Sequence, residues 1–332
     1  MTILAFHINN ENPMKRIVLI AFALSFTFVS KAQQDPQWTH FMFDKLSYNP
    51  ASAGFNDASC LTAITRQQWT GFNAGEPSTT LINFTTPTFS KLKGGFGFTY
   101  YNDQIGWETN NVLKLSYSLH LKELGITLAG GDLGIGVSAS YNTKVINADW
   151  VTPENTPVGG DLAIPASGTK DAGMTFNAGL YYQHPSSFYA GISTTNLSQT
   201  QLEDLNVLGI RHYYVMAGYD YDLGNTINTN FNLLLRANGL MKTDAVKTQY
   251  DLNLNVLAFD HFWVGATYRH KDAIAPMAGV EWNGFRVGYS YGLATSFLGS
   301  YFTNGNHELM LNYCFKIVPP VKYQREVHPY LL

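Results

Sequence analysis

The sequence predicts an all-β fold, an antiparallel transmembrane β-barrel of about fourteen strands behind a cleaved N-terminal signal peptide. Three observations predict it. Apolar side chains recur at every second position through most of the chain. The positions between them carry Gly, Ser, Asn and Thr where a solvated sheet face would carry Lys, Glu and Arg. Downstream of the leader no run of ~18 apolar residues exists to cross a bilayer as a helix, so a membrane-spanning chain of this kind must close as a barrel.

Composition points the same way. Only 14% of the 332 residues are Asp, Glu, Lys or Arg, against the roughly 25% usual for soluble domains, while 14% are aromatic and 29 are Gly. A hydrophobic content of 45% excludes a disordered chain, and the abundance of Gly, Tyr, Phe and Asn disfavours a helical bundle. The formal net charge is -3 and no concentrated basic face is visible, so no nucleic-acid partner is expected.

The first element is the export signal. Lys15 and Arg16, the apolar run Ile17 to Val29, and the small residues Ser30 and Ala32 form the three regions of a signal peptide over 1–32, with cleavage expected after Ala32. Its apolar core is too short to cross about 30 Å of hydrocarbon as a helix. Met14, directly before the basic pair, is the expected start. No cysteine follows the cleavage point, which argues against a lipid anchor.

Residues 33–59 form a polar, aromatic and turn-rich leader in which Asn49-Pro50 and Gly54 break any helix. Such a segment crosses the lumen or lines the periplasmic mouth. Asp35, Trp38, Phe41, Tyr48, Asn49 and Pro50 are the candidate plug or partner-contact residues, and a leader that merely seals the barrel floor reads identically.

The barrel is expected over 60–316. Alternation is clearest in Leu113–Leu121, Leu133–Tyr141, Phe188–Ile192, Tyr213–Tyr221, Phe231–Ala237, Leu252–Ala258, Phe262–Tyr268, Phe285–Leu293 and Leu309–Phe315. Weaker segments lie near 60–69, 79–86, 94–102, 173–183 and 274–283. Several runs reach the 9–11 residues that a tilted strand needs to span a bilayer, longer than the five or six typical of soluble sheets. Tyr100, Tyr101, Trp107, Trp263 and Trp282 are candidates for interfacial girdles or, equally, ordinary core aromatics. Asn102-Asp103 and Gly106 suit a turn anchored by Trp107. Periodicity vanishes between roughly 146 and 172, the longest loop, which belongs on the cell exterior or folds into the lumen. Pro319-Pro320 ends the sheet, leaving 317–332 as a C-terminal tail.

If the first strand pairs with the last, Arg66 faces the lumen and can pair with Glu308. Cys60 and Cys314 then lie on neighbouring strands with both thiols inward, either as a closing disulfide or as two packed thiols. His307-Glu308 is no metal site, because adjacent strand residues point to opposite faces. No nucleophile elbow, His-Glu-x-x-His helix, phosphate loop or dinucleotide fingerprint is present, so neither a catalytic residue nor a cofactor is nominated. A calcium loop would need more carboxylates at regular spacing.

Four motifs in order carry a resemblance. They are Gln33 to Gly54 with its Asn49-Pro50-Ala51 turn, Arg66-Gln67-Gln68-Trp69-Thr70-Gly71-Phe72, Gly94 to Gly106, and Asn306-His307-Glu308-Leu309-Met310-Leu311. Together they resemble the PorP/SprF family across the mature chain, with Gly305-Asn306-His307-Glu308 where family members often carry Gly-Ser-His-Glu. The resemblance implies a Bacteroidetes outer-membrane barrel, Sec-exported and tied to type IX secretion and gliding motility. It also implies, in many members, delivery or retention of a large surface adhesin. The expected partners are outer-membrane lipid, a secreted type IX substrate and other machinery subunits, and the expected role is non-enzymatic. The alternatives are a passive transporter for small or hydrophobic solutes, for which an open lumen would be needed, and a soluble secreted carbohydrate-binding β protein.

Overall fold

The computed structural model describes residues 36–71, 75–88, 92–147, 167–185, 188–202, 205, 207–226, 232–295 and 304–317. The signal peptide, Asp35, most of the longest loop and the tail beyond 317 lie outside the described residues.

The barrel strands are β1 (Ser59–Gln67), β2 (Ser78–Pro87), β3 (Gly95–Ile105), β4 (Glu108–His120), β5 (Asp132–Ile146), β6 (Thr169–Gln183) and β7 (Phe188–Thr195). A two-stranded ribbon, β8 (Gln201–Leu202) and β9 (Val207–Leu208), precedes the second half. That half comprises β10 (His212–Asp222), β11 (Leu233–Thr243), β12 (Thr248–Ala258), β13 (Phe262–Arg269), β14 (Ala273–Trp282), β15 (Phe285–Ala294) and β16 (Asn306–Phe315). Each barrel strand pairs antiparallel with its chain neighbours, and β16 returns to β1, so fourteen strands close without an edge. Each of the fourteen segments read from alternation is one of these strands.

The wall is inside-out relative to a soluble protein. Apolar side chains point outward and stay uncovered, with Leu115 60%, Val137 57%, Leu254 58% and Val264 61% exposed. Their alternating partners, among them Thr99, Asn177, Asn253 and Asn255, are buried in the lumen. A continuous apolar exterior far larger than the few hundred Å² a soluble monomer shows requires lipid. The polar interior is internally satisfied in part by side-chain ladders: Asn177 Nδ2 donates to Ser138 and Ser140 at 2.7 Å each, and Asn253 Nδ2 donates to Thr267 at 2.9 Å.

Both ends of the barrel sequence, Ser59 and Phe315, lie at one mouth, joined by register. The strand ends joined by the links β6–β7, β12–β13 and β14–β15 lie at that mouth, whereas those joined by the longer links β5–β6, β7–β10 and β15–β16 lie at the opposite one. Outer-membrane barrels place short turns in the periplasm and long loops outside. The terminus-bearing mouth is therefore the inner one. Two longer inner connections, 121–131 and 223–232, contain a 3-10 turn at Lys122–Leu124 and a helical turn at Leu223–Thr226.

The register of the strands decides one open choice and corrects one expectation. Trp263 is no girdle residue: it is fully buried in the lumen, because Phe262, Val264 and Ala266 take the lipid face of β13 and the period of two sends Trp263 the other way. Tyr101 likewise packs against the lumenal cluster, while Trp107 and Trp282 are exposed at opposite ends of the wall. Asn102 and Asp103 are not in a turn. β3 continues to Ile105, the turn is Gly106-Trp107, and Asp103 faces inward to accept from Thr79 Oγ1 at 2.6 Å.

Candidate functional site

The leader occupies the lumen. Thr39 and His40 meet Glu308, near the outer end of β16, while Ala51 and Ala53 meet Ser118 and His120 at the inner end of β4. Residues 36–58 therefore descend through the barrel before β1 begins at the inner mouth. A chain without regular structure has unpaired backbone groups, and inside a barrel only the wall can satisfy them.

Near its outer end the leader is fixed by one carboxylate. Glu308 accepts from the backbone N–H of Thr39 (2.8 Å) and of His40 (2.8 Å), and lies 2.7 Å from His40 Nδ1. Its register partner on β1 is Arg66, whose Nε lies 4.0 Å from Glu308 Oε2. Thr267 Oγ1 on β13 donates to the Thr39 carbonyl at 3.2 Å. Trp263 packs edge-on to His40 and tilted against Phe43, at 6.0 and 5.3 Å between ring centroids.

Toward the inner end, the Asn49-Pro50-Ala51 turn rests on backbone. Asn49 caps the short 3-10 helix Pro50–Ser52 by accepting from the Ala51 N–H (2.9 Å), and donates through Nδ2 to the Leu180 carbonyl (2.9 Å). Ser193 Oγ donates to the Tyr48 carbonyl and Ser118 Oγ to the Ala51 carbonyl, each at 2.7 Å. This approach needs glycine. A Cβ on Gly136 would lie 2.2 Å from Ala51 N, and one on Gly179 would lie 2.2 Å from Asn49 Oδ1.

Between these anchors sit two charged residues of the leader. Asp44 accepts from Asn83 Nδ2, and its carboxyl is pushed up to about 6, chiefly by burial and against the pull of the Ser47 and Asn83 hydrogen bonds. Lys45 donates to Tyr181 Oη at 3.1 Å and lies 3.6 Å over the Tyr189 ring centre, and burial lowers its ammonium to about 8. The Tyr48 hydroxyl, which accepts from the Trp38 N–H at 3.1 Å, is driven upward by burial and then by the Asp44 charge.

Of the residues singled out from sequence, Trp38, Phe41, Tyr48, Asn49 and Pro50 are all buried against the wall. Arg66 and Glu308 face each other across the β1–β16 seam. Cys60 and Cys314 are partners at the same seam, with Cα atoms 4.1 Å apart and sulfurs bonded. Sequence reasoning missed His40, Asp44, Lys45 and Asn83. A usable signal was present in the lumen-facing glycines 134, 136, 179 and 191, which no turn requires and which mark close approach of another backbone. Among the described residues no group of three or more His, Cys, Asp or Glu is placed to hold a metal ion.

No curated protein matches the chain. Several solved barrels are similar to it in outline. The Acinetobacter baumannii outer membrane protein Omp33 has 11% identity, a TM-score of 0.42, and coverage of 78% of this chain and 99% of that one. The CymD monoaromatic hydrocarbon channel has 10% identity, a TM-score of 0.43, and coverage of 82% and 93%. BamA from Haemophilus ducreyi lacking POTRA domains 1-3 has 7% identity, a TM-score of 0.38, and coverage of 77% and 70%. The family described as type IX secretion system membrane protein PorP/SprF matches residues 30–313, which takes in the leader and nearly the whole barrel. A closed barrel with a lipid-facing exterior and a leader held in its lumen is thus an outer-membrane protein, and the chain belongs to the PorP/SprF family of type IX secretion system membrane proteins.

Proposed function

We propose that this protein is a non-enzymatic, plugged outer-membrane barrel that binds a secreted surface protein of the type IX pathway and retains it at the cell surface. Family membership supplies the pathway. The observation that favours the binding role over passive transport is the leader, which lies in the lumen hydrogen-bonded to the wall from Glu308 at one end to His120 at the other. A solute channel needs a water-filled path. The long outer connections, 147–168 and 196–211, are the natural contacts for a surface protein.

The test is affinity purification from detergent-solubilised envelope, with mass spectrometry of what accompanies the barrel, alongside planar-bilayer recording of the purified protein. A type IX substrate in the eluate with electrically silent bilayers supports the reading. Steady conductance from the native protein, with no secreted partner recovered, overturns it in favour of transport.

A further inference from the structure

At the inner mouth the leader does not fill the barrel completely. A cavity of about 330 Å³ remains there, lined by Lys45 of the leader and by Arg236 and Arg286 of the wall strands. Each cation is held in place by a neighbour. The Lys45 ammonium sits over the Tyr189 ring and the Arg286 guanidinium lies 4.4 Å from the Phe43 ring centre. Arg236 and Arg286 share a single carboxylate, Glu281, at 2.7 and 2.8 Å. Among the described residues Lys45 has no carboxylate within ion-pair distance, its nearest polar partner being the Tyr181 hydroxyl.

Charge and hydrogen-bonding capacity together define what would fit. Asp44 of the leader also lines the cavity, with the Lys114 ammonium nearby, and accepts from Asn83. Among the described residues, Lys45, Arg236, Arg286 and the nearby Lys114 stand against Asp44 and Asp220 of the lining and Glu281 behind the two arginines, an excess of one positive charge. That balance suits a monoanion, and Asp220 in the cavity would repel the second charge of a phosphate. The Gln183 carboxamide, whose oxygen accepts from Tyr181, keeps its amide hydrogens at Nε2 to donate to a peptide carbonyl, and Phe55 gives an apolar flank.

We propose that this cavity is a binding site for the carboxylate of a peptide segment presented from the periplasmic side, with Lys45 and Arg286 as its direct partners. Because Lys45 belongs to the leader and Arg286 to β15, the ligand would join plug to wall. The site is independent of which secreted protein the outer loops hold, so the two readings fail separately.

The experiment is calorimetric titration of the purified full-length barrel in detergent with the blocked dipeptide acetyl-Phe-Glu-amide, its glutamine counterpart, and inorganic phosphate. The glutamate peptide is expected to bind at least about tenfold more tightly than the glutamine one, the span of a charge-assisted hydrogen bond, and more tightly than phosphate. Lys45→Met and Arg286→Gln, each checked for heat-modifiable gel mobility, are each expected to abolish that preference. Equal affinity for the two peptides, or no binding of either, overturns the proposal on the native protein without reference to any variant. Phosphate binding as tight as the glutamate peptide reduces the site to a generic anion pocket and also overturns it.

Discussion

The Glu308 carboxylate on the last strand holds His40 of the leader by two contacts, the backbone N–H at 2.8 Å and the ring Nδ1 at 2.7 Å. The same carboxylate faces Arg66 of the first strand. One side chain therefore links barrel closure to plug docking, two events separated by more than 260 residues of chain. Its replacement leaves the Thr39 and His40 N–H groups buried without an acceptor, a loss of about 1–3 kcal/mol for each, and removes the carboxylate that faces the Arg66 charge. Glu308→Ala is expected to release residues 36–45 to limited proteolysis in detergent while strand content by circular dichroism holds.

A charge swap is expected not to rescue this site. Reversing Arg66 to Glu and Glu308 to Arg preserves the pair across the seam, but an arginine at 308 cannot accept from the Thr39 and His40 N–H groups. The double variant should fold with a closed seam and still show the leader cut as rapidly as in Glu308→Ala. Full recovery of protease resistance would mean that the seam pair alone holds the plug.

The seam itself was legible in the sequence because position parity is strict in a strand. Once β1 pairs with β16, the alternation of Leu61 and Ala63 against Leu311 and Tyr313 decides which faces Arg66, Cys60, Glu308 and Cys314 occupy. The fourteen strands were legible for the same reason. The path of the leader was not. It depends on contacts such as Ser193 with Tyr48, 145 residues apart, and on glycines whose role appears only when a second backbone lies against them. For Trp263 the sequence leaves girdle and core equally open, because an aromatic side chain suits either a lipid interface or a crowded lumen, and only the register of its neighbours separates the two.

The Cys60–Cys314 bond staples the first strand to the last at the inner mouth. Alkylation of the denatured protein should label neither thiol without reductant and both with it. Replacing both cysteines by serine is expected to lower the urea midpoint by the equivalent of about 2–4 kcal/mol, since the closed span covers most of the barrel. An unchanged midpoint would assign seam stability to strand pairing alone.

Docking of the leader should depend on pH through its two buried charges. The Asp44 carboxyl is raised to about 6 from 3.8, so the docked state binds more protons than the released one, and docking weakens as pH rises from about 4 to about 6. Lys45 is lowered to about 8 from 10.5, so the docked state binds fewer protons there, and docking strengthens between about 8 and 10.5. Hydrogen exchange of the leader amides, corrected for intrinsic rates, is expected to show least protection between pH 6 and 8. Asp44→Asn should remove the acid limb and leave the alkaline one.

The plug reading is tested most directly at Gly136, because the obstacle there is backbone. A Cβ at this position would fall 2.2 Å from Ala51 N and 2.3 Å from Ala51 Cα, so no rotamer change in a neighbour relieves it. The wall strand is tied on both sides by long ladders to β4 and β6, whereas the leader is held by scattered contacts, so the leader is the part that yields. Gly136→Val is therefore expected to weaken docking by about 1–3 kcal/mol, the usual scale of overpacking, and to produce intermittent conductance in planar bilayers. Gly239→Val is the matched control: the nearest atom to its added Cβ is Leu252 Cδ2 at 3.6 Å, on the lipid face, so this variant should stay as silent as the native barrel. Conductance in both variants would trace leakage to general wall damage. Silence in Gly136→Val, with native protease resistance of the leader, would show that the wall moves instead and that the glycine seat does not hold the plug.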